Sequence, residues 1–191
     1  MGKVNYHSMG NYKQQLMRRK KAPTKEAKER FDSWLWDSET LRVFVDGSEL
    51  QGSGGIFGLG VVFVGQGLTI VKSKKHYNQA MRKRSVYAEV VAVEFALMLV
   101  EKVVGKEFDQ PSKVLIYSDW NGIDRLKETD ILIKRNPTIN TVAEKINEKK
   151  LLFLKSYPTI ELDISYMGAE LKKFNPFYRA SHNAARKAIG M

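Results

Sequence analysis

Three acidic residues of this chain stand where the local pattern favours a rigidly held carboxylate. Asp46 directly follows an apolar run at residues 43–45, and Asp119 follows another run, at residues 114–117, after Ser118. Glu89 interrupts an otherwise apolar helical pattern. Carboxylate oxygens are the hard ligands that Mg²⁺ and similar cations prefer. If the two strands and the helix converge, the three acids form a cage for divalent cations.

Each acid taken alone has a simpler interpretation. Asp46 is followed by Gly47, and this pair is common where a strand enters a turn. Glu89 suits a solvated flank of its helix, and Asp119 suits a helix N-cap, as Ser118 does. The combination of the three acids, in this order and on these elements, favours the metal site over the separate structural roles.

The composition is that of a soluble globular protein large enough for one domain and an extension. The chain has 191 residues, of which 43% are hydrophobic and 28% charged. It has no cysteine, which excludes disulfides and thiolate metal sites. The sequence shows neither a transmembrane run nor a secretory signal. We therefore expect a cytoplasmic monomer that does not associate with membranes.

The net charge of +11 favours a polyanionic partner, of which nucleic acid is the commonest. The first 31 residues hold nine Lys or Arg and two Glu, a net charge of +7. Residues 1–40 are therefore predicted to form a basic N-terminal extension, partly disordered or helical. Within it, apolar spacing predicts a helix at residues 25–36 that docks through Trp34 and Trp36.

The remaining pattern, over residues 41–191, predicts one α/β domain. The element order is β-β-β-α-β-α-α-β-α, which predicts a mixed five-stranded sheet flanked by helices. Three strands joined by glycine turns form an antiparallel meander, and the later strands pair in parallel. The strands are expected at 41–46, 61–64, 68–72, 114–117 and 159–167, and the helices at 85–104, 120–127, 138–154 and 176–189.

The chain resembles type 1 ribonuclease H over about residues 41–190. The most specific matching motifs are Val45-Asp46-Gly47-Ser48, Ala88-Glu89 with Ala92, and Tyr117-Ser118-Asp119. The resemblance implies a ribonuclease H-like fold and a metal-dependent endonuclease that cuts the RNA strand of RNA–DNA hybrids, leaving 5′-phosphates. It also implies that Asp46, Glu89 and Asp119 are catalytic and hold two Mg²⁺ or Mn²⁺ ions.

The chain departs from this family at the fourth catalytic position. The family has an Asp in its last helix, and here the matching residue is His182, or Asn183 if the register is shifted by one. On spacing alone, His182 would be an ordinary surface histidine. The resemblance implies that His182 is the fourth catalytic residue and metal ligand, because other members of the superfamily, argonaute slicers among them, use His there. Histidine binds Mn²⁺ more readily than Mg²⁺.

A second departure lies in the loop at residues 168–176. Type 1 enzymes usually carry a His there, and this loop has none. Glu170 and Lys172 lie in the loop, and the sequence assigns neither a role.

The resemblance further implies nucleic-acid contacts by Ser48, Lys83, Arg84, Ser85 and Asn121. Lys83 to Ser85 directly precede the helix that carries Glu89, where cations and backbone amides suit a phosphate. Ser48 would reach a ribose 2′-hydroxyl, the group that distinguishes RNA from DNA. The simpler interpretation of the basic segment is an ordinary solvated loop.

Two other functions are compatible with the sequence. The chain could be a nucleic-acid-binding protein that has kept the fold and lost catalysis, or a superfamily nuclease that acts on branched DNA or structured RNA. Three acids facing a phosphate argue against pure binding, because they repel a polyanion unless they hold cations.

Overall fold

The computed structural model of the chain describes residues 23–127 and 136–191. The first part of the predicted basic extension, residues 1–22, lies outside these ranges. The prediction that it is partly disordered therefore stays a prediction.

The sheet has five strands, which are β1 (Thr40–Glu49), β2 (Ile56–Gly65), β3 (Leu68–Tyr77), β4 (Lys113–Ser118) and β5 (Glu161–Tyr166). They lie in the order β3-β2-β1-β4-β5. The first three strands form the antiparallel meander, β4 is parallel to β1, and β5 is parallel to β4. This arrangement confirms the mixed sheet predicted from the sequence.

Helices cover both faces of the sheet. They are α1 (Lys25–Trp36), α2 (Ser85–Val103), α3 (Pro137–Ser156), the single-turn α4 (Ala169–Lys172) and α5 (Pro176–Ala188). Helices α2 and α3 share the larger hydrophobic core, and α1 and α5 pack against the smaller one on the opposite face. Among the described residues, none of the helices combines the length and the apolar character needed to cross a membrane.

The prediction of a helix at residues 120–127 is wrong in helix type and in extent. Only a 3₁₀-helix forms, at Ile123–Lys127. The backbone N–H of Ile123 donates to the Trp120 carbonyl, and that of Arg125 to the Gly122 carbonyl, so the turn has i→i+3 hydrogen bonds. Such tight turns are short because their hydrogen-bond geometry is poorer than that of an α-helix.

Strand β1 is longer than the apolar run predicts. The prediction ended it at Asp46, but the strand continues to Glu49 because residues 46–49 pair with residues 57–60 of β2. Asp46 therefore lies inside a paired strand. Its backbone is held by β2, which gives its carboxylate a fixed position.

Helix α1 forms at the predicted residues and packs on the sheet. The Trp34 ring stacks on Phe44 of β1 with ring centroids 5.8 Å apart, and Phe31 meets Phe177 of α5 edge to face at 6.2 Å. Trp36 lies against the turn at Gly67 and is 71% exposed. The helical part of the predicted extension is therefore in contact with β1 and α5.

Candidate metal centre

The three acidic residues singled out in the sequence lie together in the structure. Asp46 lies in β1, Glu89 in the second turn of α2, and Asp119 directly after β4. One ligand oxygen from each lies within 4.8 Å of the others. Strands β1 and β4 are parallel neighbours, so their carboxyl-terminal parts reach the same edge of the sheet. Helix α2 packs across β1 and brings Glu89 to that edge.

Gly47 allows α2 to approach β1 closely enough for this. A Cβ atom at Gly47 would lie 2.3 Å from the carbonyl carbon of Ala88, the residue before Glu89. No side chain fits in that space, so the helix backbone rests on the strand backbone. The backbone N–H of Gly47 donates a hydrogen bond to the Glu89 carboxylate. The glycine that follows Asp46 therefore positions Glu89 as well.

A second close contact brings α5 onto β2. Gly60 lies opposite Asp46 in the strand register, and a Cβ atom there would lie 2.0 Å from the Ser181 carbonyl oxygen. The next residue of α5, His182, reaches the cluster from this position. Its Nδ1 and the Asp46 Oδ2 are hydrogen-bonded at 3.1 Å. Asn183 is exposed, so the structure brings His182 rather than Asn183 to Asp46.

His182 stands at the margin of the cluster. The group whose ligand atoms lie mutually within 4.8 Å contains the three carboxylates only, among the residues described. The His182 side chain is half-buried, whereas that of Asp46 is almost fully buried. Its role as the fourth metal ligand stays a prediction.

Burial and repulsion by neighbouring charges shift the pKa values of Asp46 and Glu89. Burial raises the pKa of Asp46 to about 6, and the charge of Asp119 adds to the rise while His182 opposes it. Burial raises the pKa of Glu89 well above its ordinary value, with further contributions from the charges of Asp46 and Asp119. Among the described residues, the buried Oε2 of Glu89 has no hydrogen-bond donor. Buried carboxylates need a cation or a donor, so this oxygen-only set fits Mg²⁺ or Mn²⁺.

Two residues that the sequence did not assign hold Asp119. The Tyr178 hydroxyl donates to Asp119 Oδ2 at 2.8 Å, and the Lys172 ammonium donates to the same oxygen at 3.1 Å. Burial, followed by the hydrogen bond to Asp119, raises the pKa of Tyr178 well above its ordinary value, so the hydroxyl stays a donor. Tyr178 precedes His182 by four residues and lies on the same helix face, a spacing that could have revealed it. The sequence carries no comparable signal for Lys172.

The predicted nucleic-acid contacts lie around the cluster. Lys83 and Arg84 are exposed directly before α2, and the exposed Ser85 is the first residue of α2, one helical turn before Glu89. Lys83 has a positive φ of 64°, and its backbone N–H donates to the Glu49 side chain. Their binding roles stay predictions.

The other two predicted contacts are Ser48 and Asn121. Ser48 is half-buried and lines an open groove of about 400 Å³, which His182 and Arg186 of α5 also line. Asn121 is exposed two residues after Asp119. Their contacts with nucleic acid likewise stay predictions.

Comparison with solved structures shows that this architecture is the ribonuclease H-like fold. The ribonuclease H1 called LC11, isolated from compost by a metagenomic approach, aligns with a TM-score of 0.54 and 21% sequence identity, over 80% of this chain and 99% of that one. A mutant protease–reverse transcriptase of prototype foamy virus aligns with a TM-score of 0.51 and 16% identity, over 78% of this chain and 21% of that one. This chain thus spans about a fifth of the viral protein. No protein-family model and no curated protein sequence matches it.

Proposed function

We propose that this protein is a divalent-metal-dependent endonuclease that hydrolyses the RNA strand of RNA–DNA hybrids and leaves 5′-phosphate ends. The observation that carries the proposal is the convergence of Asp46, Glu89 and Asp119, with ligand oxygens within 4.8 Å of one another. The buried Oε2 of Glu89, which has no donor among the described residues, adds to it, because a buried carboxylate oxygen needs a donor or a cation. The ribonuclease H-like fold is consistent with this chemistry but does not specify it.

Four side chains would hold two cations. Asp46 and Asp119 would contribute to both positions, Glu89 to one, and His182 to the second. When bound, Mg²⁺ or Mn²⁺ lowers the pKa of coordinated water and neutralises the charge that develops on the phosphate.

The protein itself contributes the fixed geometry of these ligands. His182 orients Asp46, the Gly47 amide orients Glu89, and Tyr178 orients Asp119. Such supporting hydrogen bonds limit the rotamers of the ligands before any substrate arrives, which is what precise positioning of a reacting phosphate requires.

Nucleic acid is the partner that the charge favours. The net charge of +11 attracts a polyanion, and the exposed Lys83 and Arg84 would contact its backbone beside the α2 N-terminus. Ser48 lies two residues after Asp46 and lines the groove that His182 also lines. It would contact a ribose 2′-hydroxyl. Asn121 would contact the minor-groove side of the hybrid.

The test is cleavage of an end-labelled RNA–DNA hybrid by the full chain with Mg²⁺ and, separately, with Mn²⁺. We expect cutting of the RNA strand that disappears in Asp46→Asn and persists in Asp109→Asn, which removes an exposed acid outside the cluster. Stronger cutting with Mn²⁺ would support His182 as a ligand.

Two outcomes would redirect the proposal. Duplex RNA, duplex DNA, branched DNA and single strands are tested beside the hybrid, and preferential cutting of any of these would assign a different substrate. No cutting with either metal, together with salt-sensitive binding of the hybrid, would leave a nucleic-acid-binding protein.

A further inference from the structure

The hydrogen bonds to Asp119 have an arrangement that the proposed metal site does not explain. Lys172 and Tyr178 donate to the same atom, Oδ2, at 3.1 and 2.8 Å. The ammonium also lies 3.5 Å from the Asp119 carbonyl oxygen. A cation of the protein itself is therefore in contact with a carboxylate of the cluster.

The Lys172 side chain is partly buried between two tyrosine rings. Its ammonium lies 6.0 Å from the centroid of the Tyr166 ring and 5.7 Å from that of Tyr178, distances at which aromatic rings attract a cation. Its side chain is 28% exposed, in contrast to the solvent-exposed Lys173 that follows it.

The backbone around Lys172 is also fixed. The Met167 N–H donates to the Ser118 carbonyl at 2.7 Å, which joins the end of β5 to the residue before Asp119. The buried Asn175 caps α5 by accepting from the N–H groups of Phe177 and Tyr178, and its amide donates to the Leu171 carbonyl. These bonds hold α4, and hence Lys172, at a set distance from Asp119.

We propose that Lys172 is the built-in counter-cation of Asp119 and that a divalent cation binding at Asp119 displaces it. Both cations need the same carboxylate, and their like charges repel at this separation. Lys172 therefore stabilises the metal-free cluster and weakens cation binding. The inference rests on the proposed function only in requiring that Asp119 binds a metal.

Competition of this kind has a thermodynamic signature. If Lys172 contacts Asp119 only in the metal-free state, its removal must destabilise that state. The free energy of metal binding must then become more favourable by the same amount. A lysine with a purely structural role would stabilise the metal-free and metal-bound states equally.

The experiment measures Mn²⁺ binding to the full chain by titration calorimetry, together with thermal unfolding in EDTA and in saturating Mn²⁺. The test variant is Lys172→Met, which keeps the side-chain length and removes the charge. Lys173→Met is the matched control, because it makes the same change of net charge at the next residue. Lys172→Arg keeps the charge and tests for rescue.

We expect Lys172→Met to bind Mn²⁺ about three- to tenfold more tightly than the wild type, the range for loss of one partly screened like charge. Its unfolding temperature should fall in EDTA, and the difference from the wild type should shrink in Mn²⁺. Lys173→Met should match the wild type in both measurements. Lys172→Arg should bind Mn²⁺ as weakly as the wild type does.

Unchanged or weaker Mn²⁺ binding by Lys172→Met, or equal destabilisation with and without Mn²⁺, would overturn this proposal alone. A wild-type chain that binds no Mn²⁺ above the level of Asp119→Asn would overturn it together with the proposed function.

Discussion

The two sides of the carboxylate cluster differ in how their acids are surrounded. On the side of β1 and α2, Asp46 is buried and Glu89 is half-buried beside the backbones that meet at Gly47, and the buried Oε2 of Glu89 has no donor within the described structure. On the side of β4, Asp119 is partly exposed and receives two side-chain donors on one oxygen. The first side therefore needs a cation, and the second carries a replaceable one. Backbone contacts thus fix the ligands on the first side, which we call the buried side. On the second side, which we call the adjustable side, a bound metal ion can replace the Lys172 ammonium.

Removing the Asp46 charge, on the buried side, should have the largest effect on cleavage. Asp46→Asn should reduce hybrid cleavage at least about a hundredfold, since loss even of a ligand's supporting partner commonly costs ten- to a hundredfold. The same variant should unfold at a higher temperature in EDTA, because it removes a buried charge that burial and Asp119 destabilise. Cleavage assays and thermal unfolding test the two effects. An active Asp46→Asn enzyme would contradict the assignment of this side as the metal site.

A substitution at the backbone contact should have the next largest effect. Gly60→Ala places a Cβ atom where the Ser181 carbonyl lies, so α5 must move away from β2 and take His182 with it. We expect a loss of about 1–3 kcal/mol in the free energy of unfolding, measured in urea, and reduced cleavage.

The control for Gly60→Ala is Gly168→Ala, where a Cβ atom meets open space and φ is not positive. Its free energy of unfolding should stay within about 0.5 kcal/mol of the wild type. A Gly60→Ala protein as stable and active as this control would show that the close contact does not position the site.

The pH dependence of stability provides a further test of the buried side. The pKa of Asp46 is about 6 in the folded protein and 3.8 ordinarily, so between these values the folded state binds more protons than the unfolded state. This group therefore lowers the stability of the metal-free protein as the pH rises from about 4 to above 6, and Glu89 acts in the same direction.

The unfolding temperature in EDTA should fall as the pH rises across this range. It should fall less in Asp46→Asn. Added Mn²⁺ should raise the unfolding temperature more at pH 7.5 than at pH 5, because the carboxylates must be ionised to bind it. An equal Mn²⁺ effect at both pH values would argue against binding at this cluster.

The smallest effect is expected on the adjustable side. Tyr178→Phe removes one of the two donors to Asp119 and leaves the helix packing intact, so we expect cleavage to fall about three- to tenfold with little change in stability. Tyr77→Phe, at an exposed tyrosine of β3, is the control and should behave as the wild type. A drop in Tyr178→Phe as large as that in Asp46→Asn would mean that the two sides do not differ as described.

The sequence predicts those parts of the molecule whose signals are local. The apolar run at residues 43–45 indicates a strand buried on both faces, and the structure places Phe44 and Val45 in separate cores. Glycine turns predict the meander, and helical spacing predicts α2. The acid-bearing elements could therefore be placed from local signals, whereas the convergence of the three carboxylates is expected from their combination and from the resemblance to type 1 ribonuclease H.

The features that the sequence does not predict depend on contacts between distant segments. The extension of β1 beyond Asp46 requires β2 as a partner, and the role of Gly60 requires α5 to lie across it. Lys172 reaches Asp119 only because Asn175 and the β5–α4 connection fix the intervening loop. No local pattern encodes these approaches, since they arise from the docking of complete elements.

The central claim is that Asp46, Glu89 and Asp119 bind divalent cations, and anomalous diffraction from crystals soaked in Mn²⁺ tests it most directly. We predict anomalous peaks about 2 Å from oxygens of all three side chains, with the Lys172 ammonium moved off Asp119. Crystals saturated with Mn²⁺ that show no peak at the cluster, with Lys172 still hydrogen-bonded to Asp119, would contradict the claim.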